Sequence, residues 1–126
     1  MTVLDTTFVA DLDAGNAEAE ALLATLTASG EILRIPTLVL VEAAASAGKD
    51  AEEVMDRLSD AFTLVPLDVA IARTAGKLAN ALTRKGQFPG WSDVVIGATA
   101  LHLDEELVTR DERHFRRISG LRIQTY

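Results

Sequence analysis

Short apolar runs alternate along this chain with longer segments whose apolar positions recur every three or four residues. The runs predict strands at residues 2–5, 31–35, 63–67, 106–109 and 121–125; the longer segments predict helices near 17–29, 37–47, 51–61, 69–85, 91–103 and 111–117. Asp50 and Glu53 have capping-box spacing ahead of the Val54 and Leu58 stripe, and Ile71, Ala75, Leu78 and Leu82 form a second stripe that stops before Gly86. With no linker, repeat or low-complexity segment, this order predicts one α/β domain over residues 1–126. Its centre is expected to be a mainly parallel five-stranded sheet flanked by helices, a three-layer α/β/α arrangement.

Four carboxylates break the apolar pattern. Asp5 closes the first strand run, and Glu42 interrupts Leu38–Val41 and Ala43–Ala45 in what reads as a buried helix. Asp93 stands in the first turn of the apolar helix that continues through Val94, Val95 and Ile96, and Asp111 follows the strand Leu107–Thr109. A carboxylate in apolar surroundings must be paired, hydrogen-bonded or metal-bound. No basic residue neighbours Glu42 in sequence, which leaves a distant arginine such as Arg34 or Arg73, or a metal. Parallel sheets gather ligand-binding residues at the carboxyl ends of their strands, so all four acids can converge on one cleft. Oxygen donors without thiols favour magnesium or manganese over zinc.

Composition narrows the class without changing this picture. The chain has 126 residues, 48% of them hydrophobic and 25% charged, enough for one sizeable core. The absence of cysteine rules out disulfides and thiolate metal sites and suits a reducing cytoplasm. No stretch approaches a membrane span, and the N-terminus lacks a basic leader, so a soluble, unprocessed protein is expected. A net charge of −7 is the wrong sign for gripping nucleic acid along an extended surface, so any polyanion must be held locally. Arginines crowd the C-terminal segment beside Asp111. Arg110 and Arg113 are the candidate phosphate contacts, the plainer reading of the cluster being a solvated helix face.

The acids and their flanks resemble the PIN-domain nucleases, above all the compact toxins of VapC type. The resemblance runs from Val3-Leu4-Asp5-Thr6-Thr7, through Ile35-Pro36-Thr37 to Glu42, to Asp93-Val94-Val95-Ile96-Gly97-Ala98 and Leu107-Val108-Thr109-Arg110-Asp111. It covers nearly the whole chain, with Thr7 where Asn or Ser is common and Gly97 where Ala is frequent. It implies a PIN-like fold and a magnesium- or manganese-dependent endoribonuclease in which Asp5, Glu42, Asp93 and Asp111 hold the metal. Thr6 and Thr109 would support them. It further implies a toxin that acts on RNA, forms a homodimer and is silenced by a small antitoxin protein.

Each acid alone has a plain structural reading: Asp111 and Asp93 can start helices and Asp5 can end a strand. Three other functions stay open at this point: an acidic cleft that captures an arginine-bearing protein segment without chemistry, a housekeeping RNA-processing nuclease, and a small-phosphate hydrolase. Asp11-Leu12-Asp13 mimics a phosphatase aspartate pair, but the preceding Phe8-Val9-Ala10 makes a poor strand and no lysine follows Lys85. His102 and His114 have no second histidine at ligand spacing and receive no catalytic role. Trp91 is expected to be buried or at a dimer interface rather than stacked on a base.

Overall fold

The computed structural model describes all 126 residues and holds one parallel sheet with helices around it. The strands are β1 (Thr2–Leu4), β2 (Leu33–Pro36), β3 (Thr63–Val65), β4 (Glu106–Val108) and β5 (Ile123–Gln124), in the order β3-β2-β1-β4-β5. Every pairing is parallel, so the expected mainly parallel sheet is wholly so. Central β1 pairs with β2 on one side and β4 on the other, and Val3, Leu4 and Leu107 are fully buried there. The chain runs from β1 outward to β2 and β3, then crosses to β4 and β5. This reversal opens a crevice beyond the carboxyl ends of β1 and β4, the place where such sheets bind ligands.

Seven α-helices connect the strands: α1 (Thr6–Asp13), α2 (Ala17–Ala28), α3 (Thr37–Ala47), α4 (Ala51–Ala61), α5 (Val69–Arg84), α6 (Trp91–Leu103) and α7 (Glu112–Phe115). Helix α1 was not expected. Thr6, Thr7 and Val9 are β-branched and argue weakly against a helix, yet Asp5 caps it, accepting the Thr6 N–H, and Phe8 and Val9 are buried on its inner face. Asp11 and Asp13 lie in the last turns of this helix.

Four local expectations need correction. A 3₁₀ turn over Gly48–Asp50 runs straight into α4, which leaves Asp50 away from the extended cap conformation, and its side chain makes no capping bond. Helix α3 is apolar all round but buries only Val39 fully; Val41 is 61% exposed, so Glu42 sits on a half-buried helix. Arg34 does not reach Glu42. It lies 3.1 Å from Glu105 instead. Trp91 is exposed and meets Phe88 edge-on with ring centroids 5.1 Å apart.

Helix α6 passes over the core with Val94, Ile96, Gly97, Ala98, Thr99 and Ala100 buried. A Cβ on Gly97 would fall 2.5 Å from Ile118 Cδ1. Alanine should gain about 1 kcal/mol of helix propensity, whereas overpacking a buried contact costs about 1–3 kcal/mol. Gly97→Ala is thus expected to lower Tm slightly, and adding Ile118→Val, which removes Cδ1, should restore or exceed the original value in a thermal melt.

Candidate active site

The four acids meet at the sheet's carboxyl edge, linked in a ring by hydroxyl groups, two backbone amides, one imidazole and the Ser92–Asp93 chain link. Asp5 is the most buried, 3% exposed. Its backbone N–H extends the β1–β4 pairing by donating to the Val108 carbonyl at 3.0 Å. Oδ1 accepts the Thr6 N–H at 2.7 Å, and Oδ2 accepts the hydroxyls of Thr109 at 2.6 Å and Thr7 at 2.9 Å. Each of those hydroxyls has one proton, spent on Asp5, and its oxygen then accepts a backbone N–H: Asp111 to Thr109 at 2.9 Å, Arg110 to Thr7 at 3.2 Å. The turn after β4 is thereby fastened to the start of α1.

Glu42 joins the ring through hydroxyls alone. Its Oε1 accepts from Thr6 at 2.7 Å and from Ser92 at 2.6 Å, which leaves Oε2 without a protein donor. Ser92 precedes Asp93 in the first turn of α6, so the same turn anchors Glu42 and presents Asp93. On the far side, His114 Nδ1 lies 2.9 Å from Asp93 Oδ2 and 2.9 Å from Asp111 Oδ2. The circuit therefore runs Asp5, Thr6, Glu42, Ser92, Asp93, His114, Asp111, Thr109 and back to Asp5.

Burial pushes the Asp5 carboxyl above its ordinary range, although the hydroxyls of Thr109 and Thr7 and the amides of Thr6 and Thr7 oppose the shift. Asp93 is raised as well, first by burial and then by the negative charge of Asp5, with a smaller push from Asp111; the His114 contact pulls it down. Such a cluster of carboxylates attracts a cation. The donor set fits a divalent cation, with Asp93, Asp111 and His114 offering atoms all within 4.8 Å of one another.

The residues missed in the sequence are Ser92, Thr7 and His114. Ser92 and Thr7 carry no signal beyond adjacency to an acid. His114 did carry one: it lies three residues after Asp111 at the start of a helix, a spacing that puts both on one face. Arg110 is partly committed, with its guanidinium 3.1 Å from Asp11, which also accepts the Tyr126 hydroxyl at 2.6 Å. Arg113 is exposed and has no ion-pair partner.

The PIN domain family matches residues 2–121. This chain belongs to the PIN domain family. Among PIN relatives, ribonuclease VapC19 of Mycobacterium tuberculosis is 33% identical over 117 residues, covering 91% of this chain and 92% of that protein. VapC ribonuclease PF0355 of Pyrococcus furiosus is 36% identical over 67 residues, 53% of this chain and 45% of that protein. The PIN fold is also shared with a chain of VapBC2 from Rickettsia felis, crystallised bound to a DNA fragment from its promoter. That likeness has a TM-score of 0.86 at 21% identity, covering 99% of this chain and 98% of that one. VapBC-1 from nontypeable Haemophilus influenzae gives a TM-score of 0.85 at 22% identity over 98% of this chain and 96% of that one.

Proposed function

We propose that residues 1–126 form a divalent-metal-dependent endoribonuclease, the toxin of a toxin–antitoxin pair. The observation that carries the reading is the ring of Asp5, Glu42, Asp93 and Asp111 at the switch point of a PIN sheet, in a chain whose full-length relative is a ribonuclease. These four acids would hold magnesium or manganese. When bound, the ion lowers the pKa of its water and neutralises charge on the scissile phosphate. The protein's part is positioning. Thr6 and Ser92 fix Glu42 through one oxygen and leave the other free, while Thr7 and Thr109 hold Asp5 in one rotamer without satisfying every lone pair.

RNA phosphates are held locally in this reading, in keeping with the net charge of −7. Arg113 is the freer contact, since Asp11 occupies Arg110. Arg113→Ala should weaken RNA binding and lower the slope of log affinity against log salt by about 0.7–1, with a smaller change for Arg110→Ala. An unchanged slope in both variants removes the arginines from the RNA path.

The VapBC likenesses support a small antitoxin as partner, and the exposed apolar side chains of Val41, Leu67, Val69 and Trp91 supply surface for it or for a second copy of the chain. An RNA substrate and a cysteine-free chain accord with a cytoplasmic location. No helix is long and apolar enough to cross a membrane.

The deciding experiment incubates purified protein with a cellular RNA pool plus manganese or magnesium, beside a chelator control and Asp93→Asn. Discrete fragments from wild type alone, lost with chelator, are expected. A folded protein that cuts nothing under either ion overturns the nuclease reading.

A further inference from the structure

We infer that His114 is itself a metal ligand, and that its nitrogen makes the site select manganese over magnesium. The inference rests on the metal-dependent reading above and goes beyond its four acids. Nδ1 lies 2.9 Å from Asp93 Oδ2 and 2.9 Å from Asp111 Oδ2, and the three donor atoms fall within 4.8 Å of one another. Adjacent ligands at right angles on an octahedral ion with bonds near 2.1 Å stand about 3.0 Å apart. Both separations match that spacing. A single Nδ1–H proton cannot point in line at two oxygens at once, whereas one cation can be shared by all three atoms.

The supporting backbone is firm. Asp111 and His114 flank the start and body of α7, which is pinned by the next residue, Phe115, fully buried, and by Ile118 at 3% exposure. Asp93 comes from the separate helix α6, so two elements close on the same point. The imidazole makes no other hydrogen bond, and its side chain is 40% exposed, so the ring is uncommitted elsewhere.

The chemistry of the donor set then decides the ion. Magnesium is hard, holds its waters tightly and takes oxygen ligands; imidazole nitrogen suits the first-row transition ions, and a site of two carboxylates and one imidazole with water fits manganese.

The test is direct metal binding to the whole chain, by the electron paramagnetic resonance of free manganese with magnesium competition, for wild type, His114→Ala and Asp93→Asn. His114→Ala is expected to lose about tenfold or more in manganese affinity with magnesium affinity changed by less than about threefold. Pulsed resonance of the bound manganese should show a directly coordinated nitrogen in wild type that is absent in His114→Ala. Manganese bound without nitrogen coupling, or equal losses for both ions, overturns the inference and leaves His114 as a hydrogen-bonding partner of the two acids. A wild type that binds neither ion, or Asp93→Asn binding both normally, sinks the metal-site reading and this inference with it. Nitrogen-coupled manganese in a protein that leaves RNA intact sustains the ligation and overturns only the ribonuclease.

Discussion

Asp93→Asn is expected to reduce RNA cleavage by about a thousandfold or more, roughly 4 kcal/mol of transition-state stabilisation, while raising the metal-free Tm by about 3–5 °C. The two effects have one source. Asp93 is held above its ordinary value of 3.8 by burial and then by the charge of Asp5, so the folded state binds its proton more tightly than the unfolded chain does. Between those two pKa values the folded state carries more protons, and stability falls as pH rises through that window. Above that window the penalty of the ionised group is fully present, and asparagine removes it. The gain should therefore shrink toward zero below about pH 3.8, where wild type is protonated in both states. Melts in chelator at neutral and acid pH check this. Added manganese should invert the order, since an ion that binds only the folded wild type raises its Tm by mass action. Asp5→Asn should be equally inactive without the stability gain. Its carboxylate accepts three donors, and an amide nitrogen replacing Oδ1 would face the Thr6 N–H. A neutral-pH melt of Asp93→Asn below wild type in chelator would mean that the His114 bond outweighs the repulsion.

The four acids were legible because each interrupts an apolar pattern: Asp5 and Asp111 at strand ends, Asp93 at a helix start and Glu42 within a helix. Helix α6 was read to its bounds, since the mostly apolar run from Val94 to Leu103, set between Gly90 and Asp104, leaves little choice. Helix α1 was hidden by its Thr-Thr start: the propensities of its first turn oppose a helix, and only the Asp5 cap and the packing of Phe8 and Val9 overrule them. The burial of α3 was overestimated for a related reason. Apolar residues on every side give no period to orient, so sequence could not tell that one face stays in solvent. Glu42 accordingly answers to Thr6 and Ser92, contacts 36 and 50 residues away in sequence that no local pattern records. The convergence of Asp93, Asp111 and His114 likewise depends on tertiary packing, although the Asp111–His114 spacing was visible.

Thr109→Val should cost about 2–3 kcal/mol, roughly 8–12 °C in Tm, and reduce cleavage about 10- to 100-fold, although it alters no proposed metal ligand. The side chain is fully buried, and valine matches its shape, so packing is preserved and only the hydroxyl is lost. That hydroxyl does two things: it donates to Asp5 Oδ2 at 2.6 Å and accepts the Asp111 N–H at 2.9 Å. Without it, a nearly buried carboxylate loses one of its charge-assisted bonds, and the amide that sets the Asp111 turn loses its acceptor. The hydroxyl also lowers the Asp5 pKa against the larger opposing effect of burial. Its removal therefore raises that pKa further. Cleavage needs Asp5 ionised to hold the metal, so the acid limb of the pH–rate profile should move to higher pH in Thr109→Val. Thr109→Ser retains the hydroxyl and gives up one methyl group; it should keep the wild-type acid limb and most of the activity while losing about 1 kcal/mol. An acid limb unmoved in the valine variant, with cleavage equal to wild type, would show that Thr7 and the Thr6 amide hold Asp5 without help. A displaced limb restored by serine would place the hydroxyl, rather than the bulk of residue 109, in control of the first acid of the site.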